Sequence, residues 1–201
     1  DPLKASARHN VTLNSSDLEL GADGANQQHV GLRFAGSPLP RNATILTATL
    51  QFVTDETNAA AASFTIRGAG AYTDPFTTSN YTLGRLPLTA ASVTWVPPAW
   101  TTVGEKREAQ RTPELKTLVE QMVDHADWQN GQAMVFRIHP TAAGTRTAGA
   151  WESGTAATLY LEWVVAGATA GDTDGDGLPD DWETAQYGSV SGANSGANDD
   201  Y

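Results

Sequence analysis

Ile45-Leu46-Thr47-Ala48-Thr49-Leu50-Gln51-Phe52-Val53 decides how the rest of this 201-residue chain is read. Leu46, Ala48, Leu50 and Phe52 recur at period two, with Thr47, Thr49 and Gln51 at the alternate positions. Successive side chains of a strand point to opposite faces, so this pattern buries one face and leaves the other polar. Thr and Ile are stiff at χ1 and favour extended backbone. Asn42 before the stretch, and Asp55 with Asn58 after it, punctuate its ends. The reading is an antiparallel strand with one face on a core, and the fold class it implies is an all-β, antiparallel β-sandwich.

Upstream, Val11, Leu13, Leu18 and Leu20 alternate with polar residues, residues 21–26 read as a loop, and Val30, Leu32 and Phe34 alternate again up to Gly36. Downstream, residues 55–62 read as a loop, and Phe64 with Ile66 marks a strand stopped by Gly68 and Gly70. Residues 72–112 lose the pattern. Trp95 and Trp100 sit there among Pro, Thr and Ser, with one short strand over 92–96. An irregular stretch of this length suits binding loops, or a lid packed over one end of the core.

Thr112-Pro113-Glu114-Leu115 changes the period, because Leu115, Leu118, Val119, Met122 and Val123 fall three and four apart. A helix is expected from Thr112 as cap, with Pro113 at its first position and Glu114 near its positive end, to about residue 126. Met134, Phe136 and Ile138 return to period two until Pro140. Residues 141–155 read as a Gly- and Thr-rich loop carrying Arg146, Trp151 and Glu152. The last strand spans 157–165, with Leu159, Leu161 and Trp163 on one face. About eight strands and one helix suit a double-sheet jelly roll.

The chain carries 12 Lys and Arg against 23 Asp and Glu, a formal net charge of −11. Residues 171–201 hold 8 of the acids and no basic side chain, so the tail accounts for −8 and the rest for −3. Neither part has the basic stripe of a nucleic-acid binder. No run of eighteen apolar residues occurs, which argues against membrane insertion by a helix. There is no cysteine, and a chain of this length buries a sufficient core without disulfides. The expected organisation is a β-sandwich domain over 1–166, a linker over 167–171, and an acidic segment over 172–201 that reads as cut from something longer.

That segment holds the one sharp motif. Asp172-Thr173-Asp174-Gly175-Asp176-Gly177-Leu178-Pro179-Asp180-Asp181-Trp182-Glu183 matches D-x-D-x-D-G-x-x-D-x-x-E. Calcium is a hard cation that takes six to eight oxygens. The spacing offers Asp172, Asp174 and Asp176 as side-chain ligands, the Leu178 carbonyl, Asp180 directly or through water, and Glu183 with both oxygens. Gly177 permits the sharp turn, and Pro179 helps start a short helix closed by Gly188. Residues 169–171 form no helix before the loop, so the expected cation is structural and a paired regulatory EF-hand is not implied.

The calcium segment resembles the thrombospondin type 3-like and dockerin-like loops that join domains of secreted bacterial proteins. Three stretches of the main domain resemble DNRLRE-type, family 96-like carbohydrate-binding domains. They are residues 29–34 with Leu39-Pro40 and 43–52, then 114–123 with Trp128 and Gly131, and then Trp151-Glu152-Ser153-Gly154 followed by 159–163. The resemblance covers about residues 11–165. It implies a β-sandwich of jelly-roll type attached to neighbouring domains of a secreted or cell-surface bacterial protein, with a polysaccharide as ligand.

A sugar offers apolar CH faces flanked by hydroxyls, so its site needs an exposed aromatic platform with polar side chains at the rim. Trp95, Trp100 and Trp151 are the candidate platforms, with Arg107, Arg146 and Glu152 at their rims. Trp128 and Trp163 read as core, and Trp182 as the residue that packs the tail helix on the main domain. The glutamates form no recognisable catalytic pair, the four histidines no metal-ligand spacing, and no G-x-S-x-G elbow is present. The sequence therefore implies no catalytic residue. A structural or adhesive β-domain is the alternative to the carbohydrate-binding module.

Overall fold

Short alternating segments give the chain strands that pair antiparallel throughout. The computed structural model describes residues 11–70, 74–78, 83–165, 173 and 180–188. In chain order the strands are β1 (Asp17–Leu20), β2 (Ala22–Asp23), β3 (Asn26–Gln27), β4 (Val30–Phe34), β5 (Thr44–Gln51), β6 (Thr54–Glu56), β7 (Phe64–Gly68), β8 (Val93–Trp95), β9 (Met134–Pro140), β10 (Arg146–Gly149) and β11 (Thr158–Val164). Two short α-helices, α1 (Lys116–Val123) and α2 (Asp180–Tyr187), and two single 3-10 turns, Glu108–Gln110 and Trp151–Ser153, complete the described elements. The sheets are β4-β9-β7-β8, β1-β10-β6, β5 with β11, and the small hairpin β2-β3. This is an all-β core of several antiparallel sheets with two short helices. The 167–171 linker and most of the 172–201 segment lie outside the described residues.

β5 holds the centre. It pairs with β11 from Thr44↔Val164 to Gln51↔Thr158. The amides of Ala48, Leu50 and Phe52 instead bond residues 110–114: Phe52 N–H to the Gln110 carbonyl at 2.9 Å, Leu50 N–H to Thr112 Oγ1 at 3.0 Å, and Ala48 N–H to the Glu114 carboxylate at 2.6 Å. Alternate amides of a strand point to opposite sides, so both edges of β5 are used.

The face assignment expected for β5 holds for Ala48, Leu50 and Phe52, all fully buried, and fails at Leu46, which is 52% exposed while Ile45 is buried. The cause is a bulge. Glu162 faces Thr47 and Trp163 faces Ile45, so Leu46 has no partner in β11. One extra residue flips every side chain beyond it to the other face.

The helix differs from expectation at its start. Thr112 does not cap it; its N–H and Oγ1 both pair with Leu50, which holds the chain beside β5 just after the extended Arg111. Glu114 takes over the capping role. Its carboxylate accepts the Leu115 and Lys116 amides at 3.0 Å each, as well as Ala48 N–H and the Thr47 hydroxyl at 2.7 Å. Burial pulls the Glu114 pKa upward, and these four donors outweigh it and hold the group below the usual carboxylate range. One side chain thus fastens α1 to β5. Leu118, Val119, Met122 and Val123 form the buried stripe of α1. A Cβ at Gly68 would sit 2.9 Å from Met122 Sδ, so the glycine lets α1 close on β7.

Strands fall in all three stretches expected as loops, with β2 and the start of β3 inside 21–26 as a small hairpin. β6 occupies part of 55–62, and β10 lies inside 141–155, pairing β1 from Leu20↔Arg146 to Asp17↔Gly149. All four residues of β10 are buried, so Arg-Thr-Ala-Gly shows no alternation to read. One hydrophobic cluster joins these elements, drawing Leu50 of β5 and Phe52 just beyond it together with Ile66, Phe136, Leu118 and Trp100. Fully burying each such side chain contributes about 1.5–3 kcal/mol.

Candidate functional site

The polar face of β5 faces a groove. Thr47, Thr49 and Gln51, with Tyr160 directly opposite Thr49 on β11, share one side of the sheet. They line a groove of about 990 Å³ whose remaining lining comes from 95–98 and from Glu108, Arg111 and Glu114 in the segment that runs beside β5. Tyr160 is 49% exposed, and Lys106 Nζ lies 6.0 Å from its ring centre. A half-exposed aromatic ring is thereby set among threonine hydroxyls, two carboxylates and two cations.

The two tryptophans expected as platforms are elsewhere. Trp95 is 3% exposed and Trp100 is fully buried. Trp95 stacks on Phe52 at 5.4 Å and 15°, and Trp100 lies 6.3 Å from Trp95, so neither offers a ring face to a ligand. Trp95 ends β8 and is part of the groove lining. Trp100 exchanges both backbone hydrogen bonds with Asn58 and donates its indole N–H to the Ala109 carbonyl at 2.9 Å. It anchors the loops that flank the groove.

Arg146 is also internal, at 1% exposure. Its guanidinium donates to the carbonyls of Pro98 at 2.9 Å, Ala60 at 2.8 Å, Pro97 at 3.1 Å and Thr145. Burial lowers its pKa. Arg146 therefore fastens the 97–98 backbone rather than facing a ligand. Arg107 is exposed and reaches Glu105 at 3.4 Å. Trp151 and Glu152 are exposed, Trp151 by 82%, in the single turn Trp151–Ser153 that Gly154 closes with φ 75°. That turn does not line the groove. Trp128 is buried and Trp163 packs against the core. Sequence reasoning passed over Tyr160 and Glu108, and read Glu114 only as a helix charge. The signal for Tyr160 was present, because placing Leu159 and Leu161 inside puts the residue between them outside.

Of the expected calcium ligands, Asp172, Asp174, Asp176 and Leu178 lie outside the described residues. Among those described, no group of three or more metal-capable side chains converges. Asp180 and Glu183 are on α2, which Gly188 ends with φ 76° and an amide bond to the Thr184 carbonyl. Thr173 closes a turn onto Asp180 through its N–H and hydroxyl, each at 2.6 Å. Glu183 is fully buried on a helix whose Asp181, Trp182 and Thr184 are exposed. Trp182 is 43% exposed and meets Tyr187 edge-on at 5.9 Å.

No helix among the described residues is long and apolar enough to cross a membrane. No family model, curated protein or solved structure matches the chain.

Proposed function

We propose that this chain is a non-catalytic carbohydrate-binding module of a secreted or cell-surface protein, a β-sandwich of jelly-roll type that holds a polysaccharide in the groove over β5 and β11. The observation that carries this reading is Tyr160, a half-exposed ring in a groove lined by Thr47, Thr49, Glu108 and Arg111. A pyranose CH face stacks on such a ring, and its hydroxyls bond the flanking side chains. A groove open to solvent suits a chain ligand better than a small enclosed one. The resemblance of residues 11–165 to family 96-like domains supports the same reading.

The test is affinity electrophoresis against a panel of neutral and acidic polysaccharides with calcium present. One glycan class is expected to retard the protein, and Tyr160→Ala to weaken that retardation at least about tenfold, equivalent to about 1.4 kcal/mol. Retardation untouched in Tyr160→Ala and lost in Trp151→Ala would move the platform to the exposed turn. No retardation by any glycan would favour a structural or adhesive domain. The exposed Leu46, Val164 and Val165 near one end of the β5–β11 pair support that second reading.

Calcium belongs to the proposal as a structural ion of the 172–183 loop, held by Asp172, Asp174, Asp176, the Leu178 carbonyl, Asp180 and Glu183. An ion that binds the folded loop alone adds about 2.7 kcal/mol to it at a hundredfold over its dissociation constant. EDTA is expected to make the 171–201 segment protease-sensitive while the β signal of residues 11–165 persists in circular dichroism. Cooperative loss of the whole β signal would show instead that the ion supports the main domain.

A further inference from the structure

The outer face of the β4-β9-β7 sheet collects cations that the groove does not use. Arg67 of β7 stands directly opposite Arg137 of β9, and Thr65 stands opposite His139. With Ser92 these four line a second cavity, of about 240 Å³. Both arginines are half-buried, and neither takes part in an ion pair among the described residues. Among the described residues their hydrogen bonds are long, Arg67 Nη2 to the Ala90 carbonyl at 3.4 Å and Arg137 Nη1 to the Leu83 carbonyl at 3.3 Å. A guanidinium has five N–H donors, so each keeps donors with no partner among the described residues. His139 Nδ1 is buried with no hydrogen-bond partner among the described residues.

Like charges directly opposite on neighbouring strands destabilise the pair. Burial lowers the Arg137 pKa and Arg67 lowers it further; burial and then Arg137 act the same way on His139. In a protein of net charge −11, three cationic or proton-accepting groups are thus gathered with no acid in the described lining between them.

We infer that this cavity is an oxyanion site, taking a sulfate or phosphate group between the guanidiniums of Arg67 and Arg137, with Thr65, Ser92 and His139 around it. A tetrahedral oxyanion accepts bidentate bonds from guanidinium forks and cancels their repulsion. This inference stands apart from the groove, which lies over β5 and β11.

The experiment is a titration of the folded protein with inorganic sulfate and, separately, inorganic phosphate, following the arginine Nε–Hε resonances against sodium chloride at matched ionic strength. Saturable shifts of Arg67 and Arg137 are expected with at least one of the two, and whichever binds tighter names the group. Arg67→Gln and Arg137→Gln each abolish saturation, and Arg67→Lys weakens it several-fold because an ammonium lacks the fork. Shifts no larger than those from chloride, or saturable binding that survives both glutamine variants, would overturn the site.

Discussion

Trp100→Ala is expected to destabilise the domain by about 3–5 kcal/mol, the range for a buried tryptophan removed from a packed core. Trp100 is fully buried against Phe52 at 6.5 Å and Trp95 at 6.3 Å. Truncation opens a large cavity and leaves the Ala109 carbonyl without its indole donor. The loss is a large share of the usual stability of a domain, about 5–15 kcal/mol, so the variant either melts far below the parent or is recovered unfolded. Denaturant unfolding measures it. Trp100→Phe, which keeps ring contact and removes the N–H, is expected to lose less than half as much. A Trp100→Ala protein as stable as the parent, with glycan retardation abolished, would mean that Trp100 faces a ligand after all.

That prediction also marks where sequence reading stops. The strands whose residues alternate, β4, β5, β7, β9 and β11, were legible because a half-buried strand writes its two faces into period two. β10 was not, since burial on both faces erases the alternation and leaves Thr, Ala and Gly looking like a loop. Trp95 and Trp100 were read as loop aromatics for a related reason. Their neighbours are prolines and threonines, and what buries them is Phe52 and Phe64, more than thirty residues earlier in the chain. Long-range packing leaves no local mark. The bulge at Leu46 was equally hidden, because it depends on how β11 pairs, and β5 alone does not record that. Tyr160 is the opposite case: its exposure followed from the pattern of its own strand. Glu114 lies between the two. Its place ahead of the helix was legible, and its bonds to Thr47 and Ala48, 67 and 66 residues away, were not.

Arg146→Met is expected to cost about 3–5 kcal/mol and to weaken the groove as well, although Arg146 lines no part of it. Met fills a similar volume, so the change isolates the hydrogen bonds from the packing. The guanidinium satisfies the carbonyls of Ala60, Pro97 and Pro98 across two separate loops. A buried carbonyl left without a donor costs about 1–3 kcal/mol, and three of them set the scale. Pro98 lines the groove beside Val96, so releasing its carbonyl loosens that wall. Arg146→Lys supplies one compact ammonium in place of a planar fork and is expected to restore only part of the stability. The measurements are the unfolding free energy of both variants and their retardation by the glycan that the parent binds. A role in direct ligand contact predicts a different result, with Arg146→Met as stable as the parent and binding alone lost. A structural fastener predicts that stability falls first and that binding follows it.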